Sequence, residues 1–74
     1  MTGQDILREI DELVGVPPGT VQASDRLEDL EGWNSMAMMG FISLADKNGV
    51  RVPPRQIAGS ETVSDLIQLL QKKP

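Results

Sequence analysis

Apolar residues return at helical spacing in three stretches of the chain. From about Gln4 to Val14 they fall at Ile6, Leu7, Ile10, Leu13 and Val14, which places them on one helical stripe. Asp5, Arg8, Glu9, Asp11 and Glu12 fill the other side. Gly15 stands where a helix ends on a left-handed residue, and Pro17-Pro18 forbids continuation. The second stretch opens at Asn34 or Ser35, both good capping types, and runs to about Lys47 before the stop Asn48-Gly49. Met36, Met39 and Ile42, with Phe41 flanking, predict its core-facing stripe, and Met38, Gly40 and Ser43 are expected to face outward. The third stretch opens at Thr62, with Asp65 three residues on as in a capping box. Its stripe is Val63, Leu66, Ile67 and Leu70, and Lys72 and Lys73 suit the negative end of its dipole.

The intervals between these stretches differ in kind. Residues 15–34 are a long connection rich in glycine and proline, with apolar anchors at Val16, Val21, Leu27 and Leu30. Connections of this length are either packed and functional or mobile, and the anchors favour a packed loop. Val50-Arg51-Val52 alternates and is too short to build a sheet. Pro54 suits the first turn of a short helix through Ile57 or Ala58, which Gly59-Ser60 ends. The expected fold is all-α: a small four-helix bundle of three main helices and one short one, with a long loop between helices 1 and 2. Seventy-four residues make one domain, 1–74.

Composition removes most chemistry. The chain has neither cysteine nor histidine. Disulfides, Cys/His metal sites and Ser–His or Cys–His catalysis are therefore excluded. A chain this short buries only roughly 60% of its unfolded surface, too little for a deep catalytic cleft. A non-enzymatic binding or carrying module is expected. The net charge is −4, which argues against nucleic acid and anionic membrane surfaces as partners. The charge is also uneven. Residues 1–34 hold eight acids and two bases, a net −6, while residues 35–74 hold three acids and five bases, a net +2. A basic partner approaching the acidic part is the expectation. The acids Asp25, Glu28, Asp29 and Glu31 lack the spacing of a calcium loop and read as a solvated face, so no metal site is expected. The N-terminus lacks the basic and apolar regions of a signal peptide, and no apolar run approaches the ~20 residues of a membrane span. A cytoplasmic monomer is expected.

Gly32-Trp33-Asn34-Ser35-Met36 is the informative stretch. Its serine follows the only tryptophan at the end of an acidic loop and precedes an apolar helix. Leu27-Glu28-Asp29-Leu30-Glu31-Gly32-Trp33-Asn34-Ser35-Met36 resembles the Leu-x-x-Leu-x-Gly-Trp-Asp-Ser-Leu motif of the acyl and peptidyl carrier proteins. Gly49-Val50-Arg51-Val52-Pro53 resembles the family's link after its second helix, and Thr62-Val63-Ser64-Asp65-Leu66 the start of its last. The resemblance runs in order from Ile6 to Leu70. It implies a four-helix bundle bearing a covalent 4'-phosphopantetheine arm on Ser35, with Asn34 as the helix cap beside the site. It also implies a phosphopantetheinyl transferase as partner. Acyl- or aminoacyl-activating and chain-processing enzymes of fatty-acid, polyketide or nonribosomal peptide biosynthesis would be the others. The arm's thiol would hold cargo as a thioester, supplying the sulfur that the chain lacks. The Met start and the absence of flanking domains favour a discrete carrier, although an excised domain would look similar.

Two departures from the motif bear on function. Asn34 stands where the family has aspartate; asparagine caps equally well but carries no charge. That neutral residue keeps open an alternative, an unmodified carrier-fold interaction module. The helix after Ser35 has Asp46 as its only acid, offset by Lys47. Docking is therefore expected to rest on apolar contact around Trp33, Met36, Met38 and Gly40, with steering from Glu28, Asp29 and Glu31. Met39 is expected in the core. A fatty cargo would need a cavity, which Met36, Met39, Phe41, Ile42 and Ile57 could line or equally fill.

Overall fold

The computed structural model describes residues 1–71, so the expected pairing of Lys72 and Lys73 with the last helix end lies outside the described residues. Four helices follow in order: α1 (Gly3–Val14), α2 (Ser35–Lys47), α3 (Pro54–Ala58) and α4 (Val63–Gln71). A single 3₁₀ turn, Leu27–Asp29, interrupts the long loop. No strand forms among the described residues; Arg26 and Thr62 make an isolated antiparallel bridge. The all-α bundle expected from the apolar periodicity is the fold observed.

Each helix begins and ends on local chemistry. Thr2 and Asp5 form a reciprocal capping box at α1, each side chain accepting the other's backbone amide at 3.1 Å. Gly15, in the left-handed region at φ 78°, closes α1 by donating to Asp11 and Glu12 carbonyls. At α4 the Asp65 carboxylate accepts the amides of Glu61 (2.9 Å) and Thr62 (3.1 Å), and the Thr62 hydroxyl accepts that of Asp65 (3.3 Å). These donated amides, Thr2 for Asp5 and Glu61 ahead of Thr62 for Asp65, hold both carboxyls below the ordinary aspartate range. The caps are thus at full strength above that range and weaken as pH falls through the lowered values.

The core joins all four helices. Ile6, Ile10 and Val14 of α1 meet Phe41 and Ala45 of α2, Ile57 of α3, and Val63, Leu66, Ile67 and Leu70 of α4. α1 packs against both α4 and α2, and α3 rests on α2. Helix α2 departs from the expected facing. Its buried residues are Ala37, Phe41 and Ala45, whereas Met36 and Met39 are 81% and 68% exposed. The reason is size. A Cβ on Gly40 would meet Leu13 Cδ2 at 2.5 Å, so α2 lies close to α1 along a face of small residues around Phe41. Met39 is accordingly not core. Met38 and Gly40 are half-buried rather than outward-facing, while Ser43 is exposed as expected.

The long loop is anchored to the bundle at several points, with Val21 and Leu27 buried. The side chain of Asp11, only 1% exposed, points into it from α1. Its two oxygens accept the amides of Gly19 (2.9 Å) and Val21 (2.8 Å). The Asp11 carbonyl accepts the amides of Gly15 and Val16, both at 3.0 Å. Farther on, loop carbonyls cap α4: Asp25 accepts from Val63 at 2.9 Å and Ala23 from Ser64 at 2.8 Å. Leu27 returns a bond to the Glu61 carbonyl at 2.9 Å. Val21 and Leu27 are buried beneath this network.

An Asp11→Ala change leaves two amides, one of them on a buried residue, without acceptors. It is expected to cost about 2–4 kcal/mol in a denaturant titration. Asp11→Asn is expected to recover only part, because one of its two terminal atoms donates instead of accepting.

Candidate functional site

The loop delivers its last residues to α2 through a tight turn. The Trp33 amide donates to the Leu30 carbonyl at 3.2 Å, and Gly32 sits at the third position with φ 93°. That positive φ is what a type II turn requires there. Trp33 then folds over the bundle, edge-on to Phe41, with ring centroids 6.3 Å apart and planes at 77°.

Asn34 is fully extended at φ −143° and ψ −172°, and its side-chain oxygen accepts the Ala37 amide at 3.0 Å. Its carbonyl accepts the Met38 amide at 2.9 Å. Asn34 is therefore the cap, and Ser35 is the first residue of α2. Ser35 is exposed. Among the amides at the start of α2 that have no acceptor within the helix, Ala37 is taken by the Asn34 side chain, and those of Ser35 and Met36 remain. The first turn of α2 contains no acid. An exposed primary hydroxyl, two open amides and the positive end of a helix dipole together fit a phosphodiester.

The remaining site residues surround this point unequally. Glu28, Asp29 and Glu31 are exposed on the loop. Arg26 holds Glu28 at 2.9 Å, so part of that charge is answered within the chain. Met36 and Met39 form the exposed apolar surface next to Ser35. Met38 packs against the core and Gly40 faces Leu13, so neither lies on that surface as expected. Phe41 and Ile57 fill the core, and Ile42 packs against it. Among the described residues no group of acids is placed to hold a metal ion, and no helix is long and apolar enough to cross a membrane.

Periodicity missed Met39 because α2 is apolar nearly all round. The signal that could have found its exposure is the small-residue series Ala37, Gly40 and Ala45, which marks close helix contact better than methionine does.

Comparison with known proteins agrees with this geometry. Residues 4–70 match the family described as "Phosphopantetheine attachment site". The chain is 30% identical over 76 residues to the acyl carrier protein of Rhodococcus erythropolis, covering 96% of this chain and 84% of that protein. It is 34% identical over 64 residues to the acyl carrier protein of Thermobifida fusca, covering 85% of this chain and 81% of that one. A third relative, the meromycolate extension acyl carrier protein of Mycolicibacterium aurum, is 31% identical over 64 residues, 85% of this chain and 66% of that protein. No solved structure matches the chain. The chain belongs to the acyl carrier protein family, whose members are carriers rather than enzymes and bear a covalent 4'-phosphopantetheine group. Its partners are accordingly a phosphopantetheinyl transferase and biosynthetic enzymes.

The neutral cap makes a measurable difference to α2. Replacing Asn34 by Asp keeps the acceptor and adds a negative charge at the positive helix end. It is expected to raise stability by about 0.3–1 kcal/mol. Asn34→Ala is expected to lower it by about 1 kcal/mol. Both are read from the midpoint of chemical unfolding.

Proposed function

We propose that Ser35 is the attachment point of the phosphopantetheine arm. The protein then presents acyl groups, held as thioesters on the arm's thiol, to enzymes of fatty-acid-type biosynthesis. What carries this reading is the exposed Ser35 hydroxyl on the first turn of α2, beside open amides and away from any first-turn acid. The arm supplies the thiol; the chain's own residues fix where it is rooted. The names of the relatives favour acyl over aminoacyl cargo and include one for meromycolate extension, so a long lipid chain is the proposed load. The proposed setting is cytoplasmic, with residues 1–74 acting as one monomeric carrier domain.

Docking on this reading uses two kinds of contact. Met36 and Met39 give adaptable apolar area next to the arm, with Trp33 at its edge. Asp29, Glu31 and, less strongly, Glu28 attract basic partner surfaces. Met39 replaces Met38 and Gly40 in this role because the latter two face the bundle.

Incubation with a phosphopantetheinyl transferase and coenzyme A is expected to add one phosphopantetheine by intact mass, and Ser35→Ala is expected to abolish the gain. No gain with several transferases would point instead to an unmodified interaction module. For docking, Met39→Glu is expected to weaken binding to a partner enzyme roughly tenfold, about 1.4 kcal/mol. Raising ionic strength from low to physiological is expected to weaken it less. A steep salt dependence with Met39→Glu binding unchanged would assign docking to the loop acids.

A further inference from the structure

Gly32 is the point where the loop backbone closes on α1 just before Ser35. A Cβ there would overlap the Val14 carbonyl oxygen and lie 3.1 Å from the carbonyl carbon and 3.2 Å from the α-carbon. These are backbone atoms at the end of a helix, so no side chain can move aside to make room. The same residue has a left-handed φ of 93°. Two independent constraints, conformation and contact, therefore meet at one glycine.

The segment around Gly32 is anchored on both sides. Upstream, the loop is fixed to Asp11 at residues 19 and 21 and to α4 through residues 23–27. Downstream, α2 is fixed by the burial of Ala37, Phe41 and Ala45. Between Leu30 and Ala37 lie the turn, Trp33, the cap and Ser35. Gly32 is exposed and adds no side chain to the core, and it meets α1 at the Val14 backbone.

We infer that Gly32 is a positioning residue for arm attachment. By fitting against Val14 it sets where Trp33, Asn34 and Ser35 lie relative to the bundle. This rests on the reading that Ser35 is the attachment point. A displaced but folded segment presents the hydroxyl out of register to the transferase, and misplacement of about 1 Å can cost up to a hundredfold in rate.

The test compares Gly32→Ala with Gly49→Ala in the full chain. Gly49 also has a left-handed φ, 76°, but nothing lies within 4 Å of its Cβ position, so its alanine carries the strain without the collision. Three readouts are taken: helix content, fluorescence of the single Trp33, and kcat/KM for phosphopantetheinyl transfer. Gly32→Ala is expected to keep its helix content, shift the Trp33 emission, and load roughly tenfold to a hundredfold more slowly. Gly49→Ala is expected to lower the Tm with emission and loading unchanged. A folded Gly32→Ala chain with unaltered emission and loading overturns the inference. So does a Gly32→Ala chain that fails to fold, since Gly32 would then hold the bundle together rather than place a segment. A chain carrying D-alanine at position 32 is the companion variant: it matches the positive φ and directs its Cβ elsewhere. Native emission and loading are expected of it, and slow loading by this chain when folded also overturns the inference. If the unsubstituted chain does not load at all, the attachment reading fails, and the emission comparison still decides whether Gly32 places the segment.

Discussion

A carboxylate gives up its water inside a protein only against donors strong enough to replace it. In this chain that carboxylate is Asp11, and the donors are amides of the loop it must organise. Both partners need each other. The loop's glycines and prolines offer no regular structure of their own, and Asp11 makes no ion pair among the described residues. Charge-assisted bonds to Gly19 and Val21 meet both needs. Once the loop is turned back at this point, its following residues reach the free amides at the start of α4 and cap them. One buried side chain on α1 thus begins a continuous series of contacts that leads to the α2 cap.

That series accounts for how so small a molecule can hold Ser35 in a fixed place. A short chain has little core with which to hold a twenty-residue connection, so hydrogen bonds do the work that burial does elsewhere. The serine itself is on a regular helix rather than on the loop. Its position is inherited from packed elements on both sides, and its surroundings carry little charge of their own. The neutral cap and the acid-free first turn place no negative charge beside its hydroxyl. The exposed negative charge lies upstream at Asp29 and Glu31, and the exposed apolar area beside Ser35 is methionine.

Much of the frame was legible before any coordinates. Gly15 and Pro17-Pro18, Asn34, Asn48-Gly49, Pro54, and Thr62 with Asp65 marked helix ends within a residue or so, because caps and stops act locally. The family was legible from the Trp33-Asn34-Ser35 stretch and its resemblance to carrier proteins. Two features were not. The inward face of α2 was misassigned because a helix apolar on most sides gives periodicity nothing to select; the choice was made by Gly40 against Leu13, a contact between elements. Asp11 read as one more acid on the polar side of α1. Its place four residues after Leu7 and three before Val14, at the border of the apolar stripe, was the available hint. Burial of a charge depends on loop amides that only the folded chain brings to it.

The central claim is that residues 15–34 are a fixed part of the fold that carries Ser35, not a mobile connection. Native-state hydrogen exchange of the loop-network amides tests it most directly. Those of Val21, Leu27, Val63 and Ser64 are expected to open with free energies close to that of global unfolding, alongside the amides of the helix interiors. Exchange of Val21 and Leu27 at nearly the rate of an unstructured chain, with α1 and α2 still protected, would contradict it.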